Sequence, residues 1–124
     1  MPRTALITGA AGGIGRAAAL AFHQTGWKTF VVDRNELKRV PDGMLSFQAD
    51  VSTEEGVRSI FDWYRQYSST MDALVNNAAI QICKPLVDMT VEEWDTVQHS
   101  NLRSVFLTAR EAYPLLEACR GSIV

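Results

Sequence analysis

The chain has 124 residues, of which 47% are hydrophobic and 21% are charged. This length and composition predict one globular domain over residues 1–124 and exclude disordered and collagen-like chains. Because the net charge is −2, the chain offers no basic surface for a nucleic-acid backbone. No apolar run approaches the ~20 residues that cross a bilayer, and the N-terminus lacks a signal-peptide pattern. We therefore expect a cytoplasmic protein that binds neither nucleic acid nor a membrane.

The first half of the chain alternates short apolar runs with helical periods. Runs over 3–8, 28–33 and 44–49 predict three strands. Between the first two strands, apolar residues at helical spacing predict a helix that Gly26 ends. The predicted inward face of this helix consists of Ile14, Ala17, Ala18, Ala21 and Phe22.

Two capping patterns mark the helices of the remaining chain. Ser52-Thr-Glu-Glu55 resembles a capping box and predicts a second helix, and residues 72–75 predict a fourth strand. Thr90-Val-Glu-Glu93 repeats the pattern before a long helical region, which Pro114 should kink or end. Residues 121–124 begin as a fifth strand would, and the predicted fold is interrupted there. The predicted inward stripe of the long helical region consists of Trp94, Val97, Leu102, Val105, Phe106 and Ala109.

Strands that alternate with helices at this spacing predict an α/β fold, because parallel strands need a crossover and a helix supplies it. The expected architecture is a Rossmann doubly wound parallel sheet with helices on both faces, truncated at the start of the fifth strand. Its strand order would be 3-2-1-4. A nucleotide would bind at the carboxyl edge of such a sheet, between the first and fourth strands, where the direction of winding reverses.

A glycine-rich turn follows the first predicted strand. Gly13, Gly15 and Ala18 match the pattern G-x-G-x-x-A, and Asp33 lies twenty positions beyond Gly13. Glycine permits a tight turn and lets backbone N–H groups approach a pyrophosphate at a helix N-terminus. A plain flexible turn is the simpler interpretation of a lone glycine cluster. The preceding strand, the following helix and the distal Asp together favour a dinucleotide site.

The end of the second strand bears on the choice of dinucleotide. Asp33 can accept hydrogen bonds from both ribose hydroxyls of an adenosine, whereas a 2′-phosphate would meet a like charge. This favours NAD over NADP. Arg34 keeps NADP open, because its guanidinium could hold a 2′-phosphate if Asp33 turned away. The simpler interpretation of Arg34 is a solvated loop residue.

The segment Thr8-Gly9-Ala-Ala-Gly-Gly13-Ile-Gly15 resembles the T-G-x-x-x-G-x-G signature of the short-chain dehydrogenases/reductases. Asp50-Val51 resembles that family's pair flanking the adenine, and Asn76-Asn-Ala-Ala79 resembles its N-N-A-G segment. The resemblance covers the whole chain and implies an NAD(P)-dependent oxidoreductase that transfers a hydride between the cofactor and a secondary alcohol or ketone. The cofactor-binding residues expected on these grounds are Gly9, Gly12, Gly13, Ile14, Gly15, Asp33, Arg34, Asp50, Val51, Asn76, Asn77 and Ala78.

Three asparagines receive specific roles from the resemblance. The family's first N-N-A-G asparagine supports the central strand, a role that would fall to Asn76, while Asn77 and Ala78 would line the nicotinamide ribose. Ala79 replaces the usual glycine, which can shift the backbone slightly. Asn101 resembles the family's helix asparagine, interrupts an apolar stripe and should face inward. It is either bonded to backbone or a structural water, or a catalytic residue in a proton-relay path.

The family's catalytic serine and Tyr-x-x-x-Lys helix have no counterpart in these residues. Ser68, Met71 and Glu117 stand where a lysine would follow the three tyrosines. We therefore expect an N-terminal, cofactor-binding half that is inactive alone. A stand-alone dinucleotide-binding module and another Rossmann protein, such as an S-adenosylmethionine-dependent methyltransferase, remain alternatives.

The cysteines and the partners complete the expectations. Cys83 and Cys119 are well separated and form no Cys-x-x-Cys pattern, so neither a metal site nor a disulfide is expected. The expected substrate is a small alcohol or ketone. Family members often pair helices across a dimer, so the resemblance also implies a homo-oligomer.

Overall fold

In the computed structural model, which describes residues 1–124, five strands form one sheet in which every neighbouring pair is parallel. The strands are β1 Thr4–Thr8, β2 Lys28–Asp33, β3 Leu45–Gln48, β4 Ala73–Val75 and β5 Ser122–Ile123. Their order is β3-β2-β1-β4-β5, which confirms the predicted order of the first four strands. The central strand, β1, is buried along its whole length.

Four α-helices connect the strands. They are α1 Gly13–Gln24, α2 Glu54–Arg65, α3 Val91–Gln98 and α4 Ser104–Glu117. A five-residue π-helical turn, His99–Arg103, joins α3 to α4. A short 3₁₀ turn, Leu86–Asp88, precedes α3. None of these helices is long and apolar enough to cross a membrane.

The sheet separates two hydrophobic cores. Successive strand residues alternate between them, since Leu6 lies in the larger core while Ala5 and Ile7 lie in the smaller one. The larger core is completed by α2 and α4, and the smaller core includes Ala19 of α1. Helices therefore cover both faces, which confirms the predicted doubly wound α/β fold.

The predicted inward face of α1 is wrong in part. Ile14 is 81% exposed, and Ala17 and Ala21 are also exposed. The fully buried residues are instead Gly15 and Ala19, which are four positions apart. Because α1 packs very closely on the end of β1, its contact face requires the smallest residues rather than the most apolar ones.

The predicted inward stripe of the long helical region is also wrong in part, since Val97, Val105 and Ala109 are partly buried but the other three residues are exposed. Trp94 is 53% exposed and Phe106 is 58% exposed, and Leu102 is exposed as well. The π-helical turn widens the helix locally and changes its phase, so a stripe drawn with a constant period falls partly on the outer face. The buried residues of α4 are Ser104, Leu107, Thr108, Ala112, Leu115 and Leu116.

Three helix boundaries refine the predictions. Thr53, not Ser52, caps α2, and its hydroxyl accepts a hydrogen bond from the backbone N–H of Gly56. The predicted capping box at Thr90 is confirmed, with both reciprocal hydrogen bonds present. Pro114 does not end α4, which continues to Glu117. An exposed proline so near a helix end disturbs few backbone hydrogen bonds.

Candidate functional site

A cleft of about 340 Å³ lies where β1, β2, β3 and β4 end. It brings together most of the residues that the sequence singled out. The predicted residues that line it are Gly9, Gly12, Asp33, Arg34, Asp50, Val51, Asn77 and Ala78. Further lining residues that the sequence analysis missed are Ala11, Val32, Asn35, Ala49, Ala79, Ile80 and Ser100. The predicted residues that do not line it are Gly13, Ile14, Gly15, Asn76 and Asn101.

The glycine-rich turn between β1 and α1 requires glycine at two positions for different reasons. Gly9 has a φ of 68°, and a Cβ on it would lie 2.7 Å from the Cα of Ala78. Gly15 lies in the helix, where a Cβ would overlap the carbonyl oxygen of Gly9 and the side-chain amide of Asn77. Thus Gly15, although outside the cleft, allows α1 to approach the loops that form it.

The N-terminus of α1 is open. Gly12 is its N-cap residue, no side chain caps it, and its first turn contains no acidic residue. A Cβ on Gly12 would meet nothing within 4 Å. The first N–H groups of a helix lack intrahelical partners and carry a partial positive charge, so this end can bind an anion in the cleft.

Asp33 anchors the glycine-rich turn to the end of β2. Its Oδ2 accepts a hydrogen bond from the backbone N–H of Ala11 at 3.0 Å, and its Oδ1 accepts one from that of Asn35 at 2.8 Å. Each carboxylate oxygen retains a lone pair for a further donor. The neighbouring Arg34 is exposed and forms no ion pair.

Thr8 and Asn77 join the loops that follow β1 and β4. The Thr8 hydroxyl accepts hydrogen bonds from the backbone N–H groups of Asn77 and Ala78, at 3.1 and 3.0 Å. The Asn77 side-chain amide donates in turn to the carbonyl oxygens of Thr8 and Gly9. These bonds fix the two walls of the cleft relative to each other. Thr8 belongs to the glycine-rich signature, but sequence reasoning gave it no role.

A model of the short chain dehydrogenase family matches residues 3–124. The chain belongs to this family. It is 34% identical to an uncharacterized oxidoreductase, C922.06, of Schizosaccharomyces pombe, over 98% of the chain and 48% of that protein. It is 37% identical to the short chain dehydrogenase/reductase dpmpG of Macrophomina phaseolina, over 89% of the chain and 69% of that protein.

Two solved structures share the fold. The ligand-free aldohexose dehydrogenase of Thermoplasma acidophilum superposes with a TM-score of 0.92 at 26% identity, covering 98% of this chain and 48% of that one. The 3-ketoacyl-(acyl-carrier-protein) reductase of Brucella melitensis, complexed with NADH, superposes with a TM-score of 0.87 at 31% identity, covering 94% and 51%. The chain therefore spans about half the length of the first relative and of both structures.

Asn76 lies outside the cleft. Its backbone N–H donates to the carbonyl oxygen of Val124 at 2.8 Å, and its side-chain Oδ1 accepts from the Thr108 hydroxyl at 2.7 Å. Asn76 thus links the end of β4 to β5 and α4. Its buried side-chain Nδ2 has no hydrogen-bond partner in the structure.

Asn101 holds the loop that follows Ala79. Its Oδ1 accepts from the backbone N–H of Ile80, and its Nδ2 donates to the Ile80 carbonyl, both at 2.8 Å. The Asn101 side chain is therefore bonded to the backbone, and one Nδ2 hydrogen and one Oδ1 lone pair remain for a further partner. Because Ile80 lines the cleft, Asn101 positions a wall of the cleft without lining it.

None of the three tyrosines lines the cleft. Burial raises the pKa of the Tyr64 phenol, whose hydroxyl donates to the carbonyl oxygen of Thr70. The exposed Tyr113 donates to the Glu117 carboxylate, and this hydrogen bond raises the Tyr113 pKa. Neither is placed to exchange a proton in the cleft.

Proposed function

We propose that the chain forms the cofactor-binding half of an oxidoreductase that transfers a hydride between a nicotinamide dinucleotide and a secondary alcohol or ketone. The observation that carries this proposal is the uncapped, glycine-rich start of α1 in a cleft that also contains Asp33. The names of the relatives support it, since they include oxidoreductases and dehydrogenases and one reductase structure contains NADH. Family membership favours this chemistry over the methyltransferase alternative.

The residues present fit a dinucleotide. Backbone N–H groups at the start of α1 would hold the pyrophosphate, and Gly12 leaves open space there. Asp33 would accept the adenosine ribose hydroxyls, while Asp50 and Val51 would flank the adenine. Asn77 and Ala78 would line the nicotinamide ribose. The bound nicotinamide would supply the hydride chemistry, while this chain binds and orients it.

Asp33 gives the proposal its preference for NAD over NADP. Its two oxygens already accept backbone hydrogen bonds, which keep the carboxylate facing the glycine-rich turn. A 2′-phosphate beside it would add like charge, and Arg34, the exposed cation that also lines the cleft, would have to offset the charge of both groups. We therefore propose that NAD binds more tightly than NADP.

Thermal unfolding of the chain with each dinucleotide tests this. Saturating NAD should raise the Tm by several degrees, and NADP should raise it less. Asp33→Asn should narrow the difference between the Tm shifts with NAD and with NADP. The same samples should convert no secondary alcohol, because no Tyr-x-x-x-Lys is present. Arg34→Ala is the matched control. Equal or reversed shifts in the parent chain, or an unchanged difference between the two shifts in Asp33→Asn, would refute the assignment to Asp33.

We also propose that the chain self-associates. Leu102 in the π-helical turn and Phe106 and Tyr113 in α4 are exposed apolar residues on consecutive helical segments, and exposed apolar surface of this kind favours association. Light scattering should show a mass that rises with concentration, and Phe106→Lys should lower it. A monomer mass at every concentration would contradict this proposal.

A further inference from the structure

The turn between β3 and α2 holds the Asp50 carboxylate through one of its two oxygens. Asp50 lines the cleft, and its Oδ1 accepts two hydrogen bonds from Ser52. The backbone N–H of Ser52 donates at 2.9 Å and its hydroxyl donates at 2.7 Å. The other oxygen, Oδ2, accepts no hydrogen bond in the structure. One carboxylate oxygen is therefore fixed and the other is left for a ligand.

The backbone beneath this carboxylate is equally constrained. The Thr53 hydroxyl donates to the carbonyl oxygen of Asp50 at 3.2 Å and accepts from the backbone N–H of Gly56 at 3.0 Å. A Cβ on Gly56 would overlap the same carbonyl oxygen. The N-terminal cap of α2 thus also holds the backbone of Asp50, and Gly56 allows the close approach of its carbonyl oxygen.

The surroundings indicate which ligand group the free oxygen would meet. Val32, Ala49 and Val51 line the same part of the cleft and offer apolar surface for the faces of a base. A carboxylate oxygen only accepts hydrogen bonds, so it favours a base edge that carries an amino donor and disfavours one that carries a carbonyl. Adenine carries a 6-amino group at this edge, whereas hypoxanthine carries a 6-oxo group.

We propose that Ser52 is a positioning residue that makes the cleft selective for adenine. Ser52 does not itself line the cleft, so it acts through Asp50. Its hydroxyl and N–H hold Oδ1, which aims Oδ2 at the 6-amino group of the base. This inference rests on the proposed dinucleotide function and adds to it a determinant of base selectivity outside the binding surface.

Calorimetric binding of NADH and of reduced nicotinamide hypoxanthine dinucleotide to the whole 124-residue chain tests the inference. The parent chain should prefer NADH by about tenfold, since the wrong base leaves the carboxylate facing a carbonyl. Ser52→Ala keeps the N–H donor and removes the hydroxyl, and should reduce this preference by roughly fivefold. Ser52→Thr retains the hydroxyl and should restore it.

Ser59→Ala is the matched control, because the Ser59 hydroxyl bonds within α2, to the carbonyl oxygen of Gly56, and does not contact Asp50. It should leave the preference for adenine unchanged. A Ser52→Ala chain with the parent's preference would overturn the inference while leaving the dinucleotide site intact, as would an equal effect of Ser59→Ala. A parent chain that binds neither dinucleotide would overturn the proposed function itself, and the inference with it.

Discussion

Helices α1 and α2 both begin at the carboxyl edge of the sheet, yet their first turns are built in opposite ways. Thr53 caps α2, and Glu54 and Glu55 lie in its first turn. The first turn of α1 has no capping side chain and no acidic residue, and it begins with two glycines, Gly12 and Gly13. Both helix ends carry the same partial positive charge. In α2 the Thr53 cap and the two glutamates of the first turn compensate this partial charge. In α1 no side chain compensates it, so the charge remains available to a ligand.

The difference separates a structural helix end from one that can bind a ligand. Helix α3 follows the pattern of α2, with a capping box at Thr90 and acidic residues in its first turn. An uncapped helix end gives up about 1 kcal/mol of stability relative to a capped one. The uncapped N-terminus of α1 lies at the cleft, because its N-cap residue Gly12 lines it. This position supports an anion-binding role for the N-terminus of α1.

The largest expected loss of stability and of NADH binding comes from adding a side chain at Gly15, where α1 contacts the loops after β1 and β4. Gly15→Ala places a methyl group against the Gly9 carbonyl and the Asn77 amide. Overpacking of this kind costs about 1–3 kcal/mol, and moving α1 outward would also separate the walls of the cleft. Urea unfolding should show the loss of stability, and NADH titration should show a loss of binding of tenfold or more.

Gly12→Ala sharpens the same comparison. Gly12 has an extended backbone, with a φ of −165°, and a Cβ there would contact nothing. The free energy of unfolding of the Gly12→Ala variant should differ from the parent's by less than about 1 kcal/mol. Its NADH binding should be weaker, because the added methyl group occupies space in the cleft. If Gly12→Ala bound NADH as the parent does, the open end of α1 would not be the pyrophosphate site.

A smaller effect is expected at the capped end of α3. Thr90→Ala removes the hydroxyl that accepts from the Glu93 backbone N–H at 3.1 Å, and should cost about 1 kcal/mol of unfolding free energy. NADH affinity should not change, because Thr90 does not line the cleft. Thr96→Ala, which removes a hydroxyl within the same helix, is the control and should not destabilise the protein. Altered NADH affinity in Thr90→Ala would contradict the contrast between the helix ends.

The smallest effect is a pH dependence at the same cap. A hydrogen bond from Lys84, together with hydrogen bonds from Thr90, lowers the pKa of Glu93 below its usual 4.5. A lowered carboxyl pKa stabilises the folded state above the usual value, and this stabilisation is lost as the pH falls through the lowered one. The difference in urea midpoint between the parent and Glu93→Gln should therefore be larger at pH 6 than at pH 3. A constant difference would show that the charge of Glu93 does not contribute.

The elements and the glycine-rich turn could be predicted because their signals are local. Close backbone approach requires glycine at positions 9 and 15, and the end of β2 places the Asp33 carboxylate beside the glycine-rich turn. Both requirements fix the residue type at a set spacing, which is visible in the sequence. The alternation of strands and helices predicted a doubly wound fold, and the predicted strand order is the one typical of that fold. These features would be visible in any chain with the same spacing.

The side-chain environments could not be predicted in the same way. The exposed Trp94 and Phe106 lie on either side of a π-helical turn, which changes the phase of the helix and adds no distinctive residue to the sequence. Asn101 and Ser52 act by holding other groups, through bonds to Ile80 and Asp50. A polar residue that positions a neighbour has the same sequence signal as a solvated one, so only the folded structure distinguishes them.

The position of β1 at the centre of the sheet also determines when the cleft can form during synthesis. Its partner β2 follows closely, but β4 begins about 40 residues after β2 ends. At the ~5–20 residues per second of translation, one edge of β1 therefore stays unpaired for seconds in the nascent chain. Asn77, which holds Gly9, emerges only after β4. The glycine-rich turn is among the first segments made, yet the cleft that it serves is completed only after Asn77 and the later lining residues up to Ser100 have emerged.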